Sequence, residues 1–203
     1  MKYDLYSFDF DLTMADTVSA SMEIYRRAYR AVGKTFPEEE IYLHLGMPIE
    51  TTFYRLFPQG SSETYDRFMS AFNKAIEDTF TSVTLYPDVL EYFRLLKQNG
   101  KKIAVITNRR RDAMEIIQTI YPELNGLIDL YVTGDDTKKR KPNPDPILLC
   151  LNRLNVRPEN AVYVGDAQND FLAAKNAGVK FYFVDRTGHV TEKGAVKTFF
   201  ALD

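Results

Sequence analysis

Five short runs of the chain are apolar and rich in β-branched or aromatic residues, and most close on a polar or acidic residue: YDLYSFD (3–9), KKIAVITN (101–108), LIDLYVTG (127–134), NAVYVGD (160–166) and VKFYFVD (179–185). Near-continuous apolar runs of this length predict strands of a parallel sheet buried on both faces. Between them the apolar period lengthens towards that of a helix. PDVLEYFRLLKQNG has Pro87 for a first turn, apolar positions at Leu90, Phe93 and Leu95/Leu96, and Gly100 as a stop. RDAMEIIQTIY, NPDPILLCLNRL and NDFLAAKNAG follow the same plan, the last ending at Gly178. Strands alternating with helices predict an α/β fold, a doubly wound and mostly parallel sheet.

The first connection breaks the alternation. From Thr13 to the helix that begins near Tyr86 there are roughly seventy residues, where such a connection usually takes ~2–6. The segment reads as four helices: SASMEIYRRAYRAVG, PEEEIYLHLG, PIETTFYRLF and SSETYDRFMSAFNKAIEDTF. Tyr25, Tyr29, Phe53, Phe57, Phe68 and Phe72 supply a small core of their own. The expected organisation is a core domain of residues 1–15 and 86–203, with residues 16–85 as an inserted α-helical domain joined through TMADT and SVTLYPD.

Bulk composition narrows the class. The 203 residues are 45% hydrophobic and 27% charged, as in an ordinary globular protein. A formal net charge of −2 carries no electrostatic footprint for nucleic acid or anionic lipid. No apolar run approaches the ~20 residues of a membrane span, and the first residues lack the make-up of a secretory signal. Cys150, the single cysteine, excludes an intramolecular disulfide and sits in a helical apolar pattern. The expectation is a cytoplasmic protein, monomer or homodimer, with no nucleic-acid or membrane partner.

Candidate chemistry gathers at the carboxyl ends of the expected strands, where ligands bind in open α/β sheets. Asp9, Asp11 and Thr13 follow the first strand, and Thr107 and Asn108 follow IAVI. Lys141 lies in KRKPNPDP, and Asp166 and Asp170 in VGDAQND. Asp9 and Asp11, two apart, are like charges that repel unless a positive group sits between them. Carboxylates converging with a lysine suit a hard divalent cation, and Mg²⁺ keeps its waters while taking one or two carboxylates and a substrate phosphate. One of the pair can then attack while the other handles protons. Asp166 and Asp170 share a face where strand turns into helix, and Lys141 offsets the repulsion between phosphate and attacking carboxylate.

These pieces, in this order, resemble the haloacid dehalogenase superfamily. DFDLT is similar to its nucleophile motif D-x-D-x-T, TN (107–108) to its Thr/Ser motif, KP (141–142) to its lysine motif and GDAQND to its metal motif. The resemblance covers nearly the whole chain, since the helical insertion is similar to the superfamily's small α-helical cap on a Rossmann-like core. It implies a Mg²⁺-dependent phosphatase of the phosphoglycolate phosphatase-like branch, acting on a small phosphorylated metabolite. Asp9 would form an aspartyl-phosphate; Asp11 would act as acid and then base, its carbonyl also touching Mg²⁺; Thr13 would orient Asp11. Thr107 and Asn108 would hold phosphoryl oxygens, and Lys141 would pair with Asp9 and the phosphate. Asp166 would ligate the metal, with Asp170 beside it as ligand or support. Position 12 departs from the pattern, with Leu where many relatives carry Gly, and the tail after FYFVDRTGH is short enough to omit a final strand.

Other readings are weaker. Asp11 argues against haloalkanoic acid dehalogenases, which lack that acid/base residue. Lys34 has no supporting motif for the Schiff base of a phosphonoacetaldehyde hydrolase. A β-phosphoglucomutase shares the fold and motifs, and a non-catalytic phospholigand-binding protein would use the same pocket. His44 and His189 are expected at the surface or as caps, Arg26, Arg27 and Arg30 as a solvent-facing stripe, and the Gly46–Pro48 turn as a helix connection or a specificity loop.

Overall fold

The computed structural model describes residues 1–45, 47–79, 83–188 and 194–202. Gly46, Ser82 of the SVTLYPD tether and His189 lie outside the described residues. The chain divides into two compact units, Met1–Asp16 with Thr84–Asp203, and Thr17–Val83.

The first unit is built on five parallel strands: β1 (Leu5–Phe8), β4 (Lys102–Ile106), β5 (Leu130–Val132), β6 (Ala161–Gly165) and β7 (Lys180–Phe183). Two further strands, β2 (Ala15–Asp16) and β3 (Thr84–Leu85), pair antiparallel as a separate two-residue ribbon that the apolar pattern did not reveal. The sheet order is β5-β4-β1-β6-β7. β1 therefore lies at the centre, with Phe8 level with Val105 on one side and Val164 on the other. After β1 the chain builds outwards through β4 and β5, then returns to β1's other side for β6 and β7. The order reverses at β1, so the crevice for a ligand opens at its carboxyl end.

Burial on both faces explains why these strands read as continuous apolar runs. On one face Leu5, Ala104, Ile106, Val132 and Tyr163 pack with Ile147, Cys150 and Leu151 of α8 (Asp145–Leu154) and Ala173, Ala174 and Ala177 of α9 (Gln168–Ala177). On the other, Phe8 meets Phe93 of α5 (Asp88–Gln98) at 4.9 Å between ring centroids and Phe199 at 4.7 Å. Such ring pairs contribute about 0.5–1.5 kcal/mol each beyond the area they bury. The buried stripe of α5 is Val89, Tyr92, Phe93 and Leu96, whereas Leu90 and Leu95 are half-buried. Phe93 and Leu96 are thus buried as expected, while Val89 and Tyr92 take the place expected of Leu90. The two larger rings fill the sheet face. The connections also hold α6 (Arg111–Ile120) and the short α7 (Leu124–Leu127). Among the described residues no sixth strand of this sheet follows β7; Val196 makes one bridge to Val184, and Phe199–Leu202 closes as a 3₁₀ turn.

The second unit holds α1 (Val18–Ala31), α2 (Glu38–Tyr42), α3 (Ile49–Leu56) and α4 (Ser62–Thr79). Tyr25, Tyr29, Phe53, Phe68 and Phe72 are buried and mutually packed, with Phe57 at its edge against Phe53. Arg26 pairs with Glu23 and Glu38, and Arg27 with Glu23 and Asp78, so this part of the basic stripe is neutralised within the unit. Lys34 lies 4.4 Å from the centre of the Phe57 ring, and the His44 ring meets the Glu40 carbonyl at 2.7 Å. Among the described residues, no helix is long and apolar enough to cross a membrane.

Candidate active site

All eight residues singled out from the sequence lie in the α/β unit, on the loops that leave the carboxyl ends of β1, β4 and β6, on the segment before α8 and, for Asp170, in the first turn of α9. Asp9 follows β1 directly and is pinned by its own N–H, which donates to the Val164 carbonyl at 2.9 Å. The turn after it closes through Leu12 N–H to Ala15 O (2.9 Å) and Met14 N–H to Phe10 O (2.9 Å). That turn takes Leu12 to φ 53°, a left-handed conformation that disfavours a side chain by about 1–2 kcal/mol. Glycine would be at ease here; this chain carries the strain instead.

The centre of the site is a buried ammonium. Lys141 Nζ donates to Asp9 Oδ1 at 2.6 Å, to Asp170 Oδ1 at 2.7 Å and to the Tyr163 hydroxyl at 2.9 Å. Its three N–H groups are thereby all engaged. Lys141 is 7% exposed, Asp9 6% and Asp170 1%, so these are charges held out of water by one another. Burial alone would lower the Lys141 pKa, but Asp170 and Asp9 outweigh it and the ammonium stays protonated. The lysine's backbone is fixed as well: Asn108 Nδ2 donates to its carbonyl (3.1 Å) and accepts at Oδ1 from its N–H (3.0 Å).

Asp170 sits at the start of α9, where its other oxygen accepts the Ala167 N–H at 3.2 Å. Gly165 is required behind it, because a Cβ there would lie 2.6 Å from the Asp170 side chain. Gly134 has the same function for the next loop: a Cβ would lie 2.4 Å from the Asn108 carbonyl oxygen.

Carboxylate oxygens of Asp9, Asp166 and Asp170 all lie within 4.8 Å of one another. Three acids against one ammonium leave excess negative charge. Burial raises the Asp9 carboxyl well above the ordinary range; Lys141 opposes this, and Asp170, Asp166 and Asp11 add to it. Burial, then the charge of Asp170, pushes Asp166 up to about 7, with Lys141 opposing. A hard, oxygen-seeking divalent cation would relieve that repulsion, and the donor set fits one.

Several partners differ from those the motifs implied. The Thr13 hydroxyl donates to Asp166 Oδ1 at 3.2 Å. The Asp11 carboxylate lies in the fork of Arg109, whose Nε–H reaches both oxygens at 2.8 and 2.9 Å and whose second N–H group closes the pair. Asp11's carboxylate is therefore outside the acidic triad. Thr107 Oγ1 accepts the Arg109 N–H at 3.1 Å, and Asn108 holds Lys141. Two residues passed unnoticed in the sequence. Tyr163 reads there as one more apolar strand position, yet its buried hydroxyl bridges Lys141, Asp170 (2.9 Å) and the Ile106 carbonyl (3.0 Å). Arg109 matches none of the motifs; its place next to the Thr-Asn pair was the available signal.

The sequence model described as haloacid dehalogenase-like hydrolase matches residues 6–184. The chain belongs to that family. It is 32% identical over 175 residues to a pyrophosphatase PpaX from Bacillus velezensis, covering 85% of this chain and 79% of that protein. It is 30% identical over 183 residues to a phosphoglycolate phosphatase from Nitrosospira multiformis, covering 87% and 80%. In three dimensions it superposes on a haloacid dehalogenase-like protein from Bacteroides fragilis with a TM-score of 0.89, at 25% identity over 100% of both chains. CbbY from Rhodobacter sphaeroides, solved with xylulose-(1,5)bisphosphate, shares the fold with a TM-score of 0.76 at 21% identity, over 99% of both chains.

Proposed function

We propose that this family member is a Mg²⁺-dependent phosphatase of small phosphorylated metabolites, working through an aspartyl-phosphate on Asp9. The observation that carries the reading is the buried Lys141 ammonium, clamped between Asp9 and Asp170 beside a third acid, Asp166. A structural ion pair would need one carboxylate. Three carboxylates around one ammonium make a site for a cation and a nucleophile together.

Asp9, Asp166 and Asp170, with the Asp11 carbonyl as the family pattern implies, would hold the metal, which supplies charge neutralisation for the phosphoryl oxygens. Asp9 Oδ attacks phosphorus, the P–O bond to the leaving group breaks, and an acyl phosphate forms. Asp11 gives its proton to the leaving oxygen, then takes one from the water that attacks the same phosphorus; inorganic phosphate leaves and Asp9 is regenerated. Lys141 offsets the charge that Asp9 and the phosphoryl oxygens bring together. Thr107 and Asn108 line the phosphoryl position. In the arrangement described here Asp11 is held by Arg109, so its turn at the leaving group requires it to swing out of that fork. The helical unit is read as the family's small α-helical cap, and the lone buried Cys150 suits a cytoplasmic setting.

The relatives' names favour substrates with a second acidic group close to the phosphoryl group, since pyrophosphate and phosphoglycolate share that chemistry. The test is hydrolysis of an aryl phosphate by purified protein with Mg²⁺, with chelator, and by Asp9→Asn, followed by pyrophosphate, phosphoglycolate and sugar phosphates. Turnover that needs both metal and Asp9 supports the reading. Inactivity on every substrate, with Mg²⁺ bound, would overturn it and favour a phospholigand-binding protein.

A further inference from the structure

An arginine outside every motif reaches the site from behind. Arg186 follows β7 by three residues, and its side chain is only 5% exposed. Burying a guanidinium is costly unless each face and edge is occupied. Here Nε–H donates to the Thr13 carbonyl at 3.1 Å, while one terminal nitrogen donates to Asp88 Oδ2 and to the Lys197 carbonyl, both at 3.0 Å. The guanidinium carbon lies 4.7 Å from the Tyr86 ring centre and 4.5 Å from that of Phe199. Among the described residues the other terminal nitrogen, also buried, meets no hydrogen-bond partner. A group that served only packing would be better replaced by an apolar side chain than kept with an unsatisfied donor. What an apolar residue could not do is grip Thr13.

Thr13 is the link to the chemistry. Its hydroxyl donates to Asp166 Oδ1, and it is fully buried. The N–H groups of Met14 and Ala15 are taken by the Phe10 carbonyl, and the Met14 carbonyl by Tyr86 N–H. The Thr13 carbonyl faces Arg186 instead. That hydrogen bond fixes the plane of the peptide after Thr13, and so the backbone from which its side chain projects. Asp88, which anchors the arginine, is itself tied down by the Phe199 N–H at 2.7 Å. The C-terminal segment thus braces the loop that carries Asp9, Asp11 and Thr13.

We infer that Arg186 is a positioning residue of the candidate metal site, holding Thr13 so that its hydroxyl orients Asp166 as a ligand. The inference rests on the metal-site reading above. Groups one contact behind a ligand commonly set metal affinity by ~10–100-fold.

The experiment is Mn²⁺ binding, read by electron paramagnetic resonance of free ion, for wild type, Arg186→Met, Thr13→Val, the double variant and Phe199→Leu. Arg186→Met is expected to weaken binding about tenfold. In the Thr13→Val background the same change should have no further effect, because the link is already cut. Phe199→Leu removes packing against the same arginine and is expected to lower stability while affinity stays within about twofold. Unchanged affinity in Arg186→Met, or an equal loss in the Thr13→Val background, would overturn the inference. If Arg186→Met does not fold, Arg186→Leu, which likewise removes the donor to Thr13, replaces it and is held to the same two criteria. Absence of Mn²⁺ binding by the wild type would overturn the metal-site reading, and this inference with it.

Discussion

Replacing Lys141 by Met tests the electrostatic account at its centre. Methionine keeps an unbranched side chain of similar reach but brings no charge and no donors. The substitution leaves Asp9 and Asp170 buried without the ammonium that each touches at 2.6–2.7 Å, and Tyr163 without the donor at 2.9 Å. Breaking a buried pair by removing one partner typically destabilises by about 3–5 kcal/mol. The acids have an escape, which is to take up protons. Asp9 is already raised well above the ordinary range by burial, and Lys141 is the group that opposes the rise. Without it the folded-state pKa climbs further above the unfolded value. For a carboxyl raised in this way, stability is fully present below the unfolded pKa and is lost as pH rises through the folded one. The deficit should therefore be small near pH 5, and about 3–5 kcal/mol near pH 8. Urea unfolding of metal-free wild type and variant at both pH values measures it. Turnover should fall by on the order of 10²–10³ as a charge-stabilising donor is lost and Asp9 holds its proton. A stability difference under about 1 kcal/mol at pH 8, or the same difference at both pH values, would refute the reasoning.

Three other outcomes follow from the same geometry. Because burial and Asp170 raise Asp166 to about 7, the metal-free protein should lose on the order of 3–4 kcal/mol as pH rises from about 4 through about 7; Asp166→Asn should abolish that component, and a slope unchanged in this variant counts against it. Leu12→Gly relieves about 1–2 kcal/mol of left-handed strain and adds about 0.5–1 kcal/mol of chain entropy, so the urea midpoint should rise slightly; a clear fall would show that the Leu12 side chain outweighs its backbone. The Cys150 thiol is buried, and burial pushes it up to about 12, so a thiol reagent at neutral pH should label it only after unfolding; prompt labelling of native protein would show that α8 opens locally.

Much of the fold was legible because its signals are local. Buried strands must be apolar on both faces and helices on one, so the period along the chain already marks the five long strands and the helices between them. The β2–β3 ribbon escaped because two residues carry no period. On α5 the period placed Phe93 and Leu96 on the buried face but took Leu90 with them, where Val89 and Tyr92 are buried instead. The acids announced themselves through spacing: Asp9 and Asp11 two apart at a strand end, Asp166 and Asp170 four apart across a strand-to-helix junction.

Their partners did not. Arg109 meets Asp11 across 98 positions, Thr13 meets Asp166 across 153 and Arg186 meets Thr13 across 173. Spacing along a chain constrains neighbours within a turn or a strand; it says nothing about groups that meet only after parallel strands have been set side by side. By itself the sequence determined which residue types stand at the strand ends, because each strand's register with its own flanking turns is local. Tertiary structure alone decided which of them touch. With β1 placed between β4 and β6, three loops far apart in the chain end at one level, and the enclosed, water-poor space there makes each charge seek a counter-charge.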